Sequence, residues 1–338
     1  MPLTFTENAS LRQLNTFGVD QRAARLVEVT DPGDLPEAVA MLAAAPERLV
    51  LGGGSNLLFT RDFAGTVLLL RTRGLRVIER SGGTSLVEAE AGESWDGLVR
   101  WTIAQGLGGL ENLSLIPGSV GASPIQNIGA YGVEMRECFA GLDALDLDGT
   151  QQRSFTPGEC AFGYRDSCFK KGDGRRWLIA RVRFRLPDDW APKLDYGDLR
   201  EELERQGIGS ATPADVASAV RAIRRRKLPD PAVLGNAGSF FKNPVIGREQ
   251  AQELLARHPG LPSWPAGQAT KLSAAWMIDR CGWKGRREGD AGVHSSHALV
   301  LVNHGNATGA QLLALAGRIR ESVAERFGVM IEPEPTII

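Results

Sequence analysis

From Ile116 to Gly132 the chain reads Ile-Pro-Gly-Ser-Val-Gly-Ala-Ser-Pro-Ile-Gln-Asn-Ile-Gly-Ala-Tyr-Gly, rich in glycine, uncharged, and studded with Ile and Val. A solvated linker would be more polar. Structureless loops of this length in compact domains are usually functional. An apolar, glycine-lined segment suits wrapping a large planar ligand that carries a pyrophosphate. Backbone donors and Ser119 are placed to hold phosphates, and Gln126, Asn127 and Tyr131 to meet ring edges. The competing reading is a buried Ω-loop that serves packing alone. The ligand reading is the stronger of the two.

A second glycine cluster, Gly52-Gly53-Gly54-Ser55-Asn56, sits between the apolar segments Arg48–Leu51 and Leu57–Phe59. Glycines permit left-handed backbone and close approach, so successive N–H groups can form a concave anion nest. Position 57 is leucine and no helical pattern follows, which disfavours a dinucleotide-binding G-x-G-x-x-G turn. A Walker A lysine is missing too. A plain hairpin turn accounts for this cluster equally well at this point.

Around these loops the pattern is mixed. Arg25–Val29 reads as a strand, Asp34–Ala44 as a helix with Asp34 and Glu37 at capping-box spacing, and Arg48–Leu51 as a strand. Leu86–Ala91 alternates, Ser94 caps a helix that Gly106 stops, and Asp148-Gly149 signals a hairpin. Leu178, Ala180, Val182, Phe184 and Leu186 define a one-faced strand. Thr212-Pro213 opens a helix with Val216, Val220 and Ile223 inward, and Leu228-Pro229-Asp230-Pro231 ends it. The last block holds Arg248–Arg257, Lys271–Cys281 and a strand at Ala298–Asn303. A final helix follows, capped by Thr308 and Gln311, and then a strand at Met330-Ile331. Short strands and helices without strict alternation predict an α+β fold.

The 338 residues carry a net charge of −1, which excludes a globally basic nucleic-acid coat. The longest aliphatic runs fall far short of the ~20 residues of a membrane span. The N-terminal residues show no signal-peptide pattern. The cysteines at 138, 160, 168 and 281 match neither a disulfide scaffold nor a zinc site, which points to a reducing cytoplasm and no metal. His294, His297 and His304 have no carboxylate or thiolate partner in register for a metal. Lysine is scarce, with seven in all and none before Lys170.

Several further residues invite a functional reading. Arg165 lies between Tyr164 and Asp166, where a salt-bridged surface role is the simpler account. The run Arg224-Arg225-Arg226-Lys227 is a solvated basic face, a weak RNA contact, or a place where Lys227 meets a nucleotide diphosphate. Ser239, in Gly235–Pro244, lacks an elbow motif and an activating histidine. It is either a turn serine or a proton donor in a dry pocket. Glu334 stands in a Pro-stiffened tail that is exposed or docked.

In order along the chain, Leu14–Gly18, Gly52–Asn56, Pro117–Gly132, Tyr164–Ser167, Tyr196–Leu199, Lys227–Pro231, Gly235–Pro244, Lys271–Asp279, Gly292–Asn303 and Pro333-Glu334 together resemble the UDP-N-acetylenolpyruvoylglucosamine reductases, the MurB family. The tail places Pro335 after Glu334, where that family more often has a β-branched residue. The resemblance implies a FAD-binding fold of the vanillyl-alcohol oxidase/PCMH type with an additional α+β substrate-binding domain. Residues 1–74 plus 329–338 would form one FAD subdomain, 75–228 a second, and 229–328 the substrate domain. It implies non-covalent FAD, NADPH as co-substrate, and hydride delivery from the flavin to an enolpyruvyl ether, giving UDP-N-acetylmuramate for peptidoglycan synthesis in the cytoplasm. By motif match, Arg165 would steady the substrate carboxylate, Ser239 donate the proton, and Glu334 assist as a positioned acid. FAD would be held by Gly52, Gly53, Gly54, Ser55, Asn56, Pro117, Gly118, Ser119, Gly121, Ala122, Gln126, Asn127, Gly129, Ala130 and Tyr131. The UDP-sugar would meet Tyr196, Lys227, Asn243 and His297. Tyr196 belongs to an insertion characteristic of the type I enzymes. The same resemblance implies a monomer with neither a nucleic-acid nor a membrane partner. A non-catalytic nucleotide- or RNA-binding module using Arg224 to Lys227, and a different flavoenzyme such as an oxidase, are the alternatives.

Overall fold

A computed structural model describes residues 3–149, 151–196 and 198–338. The chain divides into two compact units. One comprises Met1–Ala9, Ala23–Gly53 and Ala64–Arg226; the other comprises Ser10–Arg22, Gly54–Phe63 and Lys227–Ile338.

The first unit is built on two sheets. Thr4–Ser10, Arg22–Val29, Phe63–Leu70 and Arg48–Leu51 lie side by side in that order, the last pair parallel. The second sheet orders Gln152–Phe155, Phe139–Asp146, Trp177–Pro187, Thr84–Glu90 and Leu75–Ser81, with every pairing antiparallel. Helix α1 (Leu35–Ala43) closes a core with Val27, Leu68 and Ala180. Helix α2 (Trp95–Ala104) buries Trp95, Leu98 and Val99 against Phe184 and Val120. Its N-terminus is satisfied as the sequence predicts, the Ser94 hydroxyl accepting from the Gly97 N–H at 3.3 Å. Helices α3 (Leu199–Arg205) and α4 (Pro213–Lys227) make a satellite core of Leu199, Leu203, Val216, Val220 and Ile223.

The second unit carries helices α5 (Arg248–Arg257), α6 (Ala274–Arg280) and α7 (Gly309–Phe327). They accompany the four-stranded sheet Gly235–Ser239, Val300–Asn303, Ala291–Val293 and Arg287–Glu288. Thr308 and Gln311 form the predicted capping box, and Leu312, Leu315, Ile319, Val323 and Phe327 are all buried.

Three local readings need correction. Asp34 makes no side-chain cap. Asp31 accepts from Gly33 N–H at 2.8 Å and opens a 3-10 turn at Pro32–Asp34, so α1 starts one residue later. Met330-Ile331 is not a strand; the pairing segment is Thr336–Ile337, parallel to Leu57–Leu58. The strand read at Ala298 begins at Val300, because a turn closes from Val300 N–H to the His297 carbonyl. Among the described residues no helix is long and apolar enough to cross a membrane, and no cluster of His, Cys, Asp or Glu could hold a metal. All four cysteines are free thiols.

Candidate active site

The two glycine clusters meet. A Cβ on Gly52 would fall 2.2 Å from the Ser119 hydroxyl oxygen, and one on Gly53 2.7 Å from the Gly118 Cα. At Gly53 backbone therefore packs on backbone, and at Gly52 a side-chain hydroxyl takes the place of a Cβ, approaches that only glycine allows. The first cluster is not a hairpin turn, since Arg48–Leu51 pairs with Phe63–Leu70 and Leu57–Leu58 with the tail strand. Gly118–Gly121 is seated by hydrogen bonds to the end of the Thr84–Glu90 strand and the start of α2. Trp95 N–H donates to Gly118 O (3.0 Å), Val120 N–H to Glu93 O (2.8 Å) and Gly121 N–H to Ala91 O (2.9 Å). The N–H groups of Gly53, Gly118 and Ser119 donate to no protein acceptor among the described residues. Ser119 is nonetheless buried. Gly53 is exposed and Gly118 part-exposed, so this short row of backbone donors is open to solvent on one side and fits an anionic group such as a pyrophosphate.

The loop ends in a hairpin. Gly129–Ala130 pairs with Val133–Glu134 through the two-residue turn Tyr131-Gly132, both at positive φ (48° and 78°). Asn112 donates to the Tyr131 carbonyl at 2.9 Å, and the Tyr131 ring stands edge-on to Tyr196 at 5.7 Å. Burial raises the Tyr131 phenol pKa against the pull of nearby Arg224. Tyr196 itself is 53% exposed; its neighbour Gly197, part of the same motif, lies outside the described residues.

Arg165 occupies the tight turn Gly163–Asp166 with φ +53°, a backbone that a non-glycine residue adopts at a cost of order 1–3 kcal/mol. Its guanidinium donates to the Gly129 carbonyl at 2.7 Å and lies over the Tyr164 ring. The arginine is thus tied into the loop's own architecture.

Asn127, expected to meet a ligand, is fully buried with its amide engaged by protein. It donates to Glu134 Oε2 and Gly163 O, both at 3.0 Å, and accepts from Arg136 N–H at 3.1 Å. Its side-chain donors and acceptor are thus all met within the protein. The Asn56 amide likewise points at a protein group, the Glu334 carbonyl, at 3.4 Å. Gln126 and Ala122 are part-exposed.

In the second unit Ser239 ends the strand Gly235–Ser239, opposite Val300. The register slips between Asn236 and Ser239, with Gly238 at φ +68° and its N–H received by Asn236 Oδ1 at 2.9 Å. Such a bulge re-aims the side chain that follows it. The tail docks directly beside it. Glu334 N–H donates to Phe240 O (2.8 Å), Lys242 N–H donates to Glu332 O (3.0 Å), and Phe241 bridges Pro333. The structure therefore seats the backbone of Glu334 against Phe240, the residue after Ser239, which a carboxylate in a tail does not advertise. Asn243 Oδ1 accepts from the first N–H of α6 at 3.0 Å. Lys227 is exposed, and its charge reaches His297. Burial, reinforced by His294 and Lys227, lowers the His297 pKa. Its Nδ1 accepts from Leu299 N–H at 3.3 Å.

The basic run is not a uniform solvated face. Arg226 pairs with Glu202 at 3.0 Å, and the enclosed Arg224 Nε has no partner.

Comparison with known proteins identifies the family. Residues 230–338 match the UDP-N-acetylenolpyruvoylglucosamine reductase C-terminal domain family, and residues 23–154 match an FAD-binding domain family. A UDP-N-acetylenolpyruvoylglucosamine reductase of Pseudomonas aeruginosa is 54% identical over 342 residues, covering 100% of both chains. One from Azoarcus sp. is 53% identical, covering 100% of this chain and 99% of that one. The crystal structure of the corresponding Thermus caldophilus reductase superposes with a TM-score of 0.66 at 27% identity, covering 100% of this chain and 99% of that chain.

Proposed function

Because the chain belongs to the UDP-N-acetylenolpyruvoylglucosamine reductase family, we propose that Arg165, Ser239 and Glu334 carry its reaction, with NADPH as the source of electrons. The activity is the FAD-dependent reduction of UDP-N-acetylglucosamine enolpyruvate to UDP-N-acetylmuramate, a step of peptidoglycan synthesis. Full-length identity of 54% is the observation that carries this reading.

When bound, FAD supplies two-electron chemistry between the nicotinamide and the enolpyruvyl double bond. The protein supplies the rest. The unpaired N–H groups of Gly53, Gly118 and Ser119 hold the cofactor's diphosphate, and the uncharged loop from Pro117 to Tyr131 lines its ring system. Arg165 stabilises the charge that develops on the substrate carboxylate as its α,β double bond is reduced. Ser239 delivers a proton from its hydroxyl to the neighbouring carbon, and Glu334 stands beside it as a positioned acid. Tyr196, Lys227, Asn243 and His297 receive the sugar nucleotide. Residues 1–74 with 329–338, and 75–228, serve the cofactor; 229–328 serve the substrate. The working form is a cytoplasmic monomer, and the FAD domain is of the vanillyl-alcohol oxidase/PCMH type.

An absorbance scan of purified protein tests this first. A flavin spectrum is expected, bleached by NADPH without oxygen and restored by the enolpyruvyl sugar nucleotide. A colourless protein, or a reduced form that only oxygen reoxidises, overturns it. Lys227→Ala is expected to raise the substrate dissociation constant roughly 10- to 100-fold, the worth of a charge-assisted contact to a diphosphate. FAD retention should stay unchanged. Titration of the flavin absorbance with the oxidised sugar nucleotide measures it, and weakened FAD binding instead would reassign the lysine.

A further inference from the structure

The turn that bears Arg165 is held by three alternate residues of the glycine loop. Ser167 Oγ donates to Ile125 O at 2.6 Å, Asn127 Nδ2 to Gly163 O at 3.0 Å, and Arg165 Nη2 to Gly129 O at 2.7 Å. Residues 125, 127 and 129 thus each clamp one point of Gly163–Ser167.

Asn127 is the centre of this clamp. It is 0% exposed, both amide protons and the amide oxygen are engaged, and its own φ is +44°. Asparagine tolerates left-handed backbone better than other side-chain-bearing residues, and it alone offers two donors and an acceptor at so short a reach. A buried network of this kind is rigid when fully satisfied. Asn127 and Arg165 both hold left-handed backbone, and each donates a hydrogen bond to the other's segment, Asn127 to Gly163 and Arg165 to Gly129.

We propose that Asn127 is a positioning residue for Arg165, fixing the guanidinium relative to the cofactor loop, and is not itself a ligand of the cofactor. This rests on the catalytic reading of Arg165 given above. Displacing a catalytic group by ~1 Å costs up to ~100-fold in rate, so slackening this turn acts on turnover more than on binding. Ser167, whose hydroxyl also receives the Phe169 N–H at 3.3 Å, is the secondary tie.

A double-mutant cycle on the holoenzyme decides it. Asn127→Gly keeps access to positive φ while deleting the amide. Asn127→Asp keeps the acceptor and loses both donors, and serves if the glycine variant folds poorly. Reoxidation of NADPH-reduced enzyme by the enolpyruvyl sugar nucleotide is followed by stopped flow, with FAD retention measured in parallel by flavin fluorescence. In the otherwise native chain either variant is expected to slow reoxidation ~10-fold or more, with FAD retention changed less than ~2-fold. In an Arg165→Lys background the same substitution should add less than ~2-fold, because residues acting as one unit are non-additive. An equal factor in both backgrounds, or a loss confined to FAD retention, overturns the proposal. A fully active Arg165→Lys enzyme would instead sink the assignment of Arg165 on which it stands.

Discussion

Ser239→Ala is expected to leave reduction of the bound flavin by NADPH at its native rate and to slow reduction of the enolpyruvyl substrate by ~10²–10⁴-fold, the usual worth of a positioned general acid. The serine hydroxyl sits after a bulge whose Gly238 has φ +68° and whose turn is held by Asn236. The substitution removes one oxygen and disturbs no packing: Ser239 is part-exposed, and the burial there belongs to Phe240 and Phe241. Stopped-flow measurement of the two half-reactions separates the outcomes. Equal loss in both would mean that the hydroxyl serves cofactor placement and not proton delivery. Ser239→Cys retains a donor of similar position with a lower pKa, and partial recovery there would strengthen the assignment.

Arg165→Lys is expected to lower turnover ~10²–10³-fold, with a much smaller change in substrate affinity. The two cations are not equivalent. The guanidinium donates to the Gly129 carbonyl while its remaining N–H groups stay directed by a planar frame; an ammonium on a flexible stem cannot do both. Charge on the substrate carboxylate grows toward the transition state, so an interaction that strengthens along that path is seen in kcat. Single-turnover rates at saturating substrate report this directly. An unchanged turnover number with weakened binding would make Arg165 a ground-state contact.

Much of this was legible from residue pattern, for identifiable reasons. Ser94, and Thr308 with Gln311, announce their helices because a cap depends on atoms three residues away. Asp34 misleads because Pro32 and Asp31 form a 3-10 turn first, moving the cap upstream. Met330-Ile331 has strand-like side chains, yet strands need partners. Leu57–Leu58 pairs with Thr336–Ile337 instead. The two glycine clusters were each readable as a nest, but their mutual packing, Gly53 on Gly118, is set by the fold and has no local signature. The protein partners of Asn127 are hidden for the same reason. Its partner Gly163 lies 36 residues on, so its polarity looked available for a ligand. Glu334 carried only the hint of flanking prolines; its docking against Phe240 is a tertiary fact.

The tail strand carries a consequence for biogenesis. Thr60 N–H and hydroxyl both donate to the Ile338 carbonyl at 2.7 Å, across 278 residues of sequence. During synthesis, Leu57–Leu58 leaves the ribosome long before Thr336–Ile337 exists to pair with it, and at ~5–20 residues per second the wait is of order tens of seconds. Through that interval an apolar strand edge stands open to other chains. Glu334 takes its seat only when the tail arrives, so the nascent protein can hold its first unit well before it acquires the acid beside Ser239.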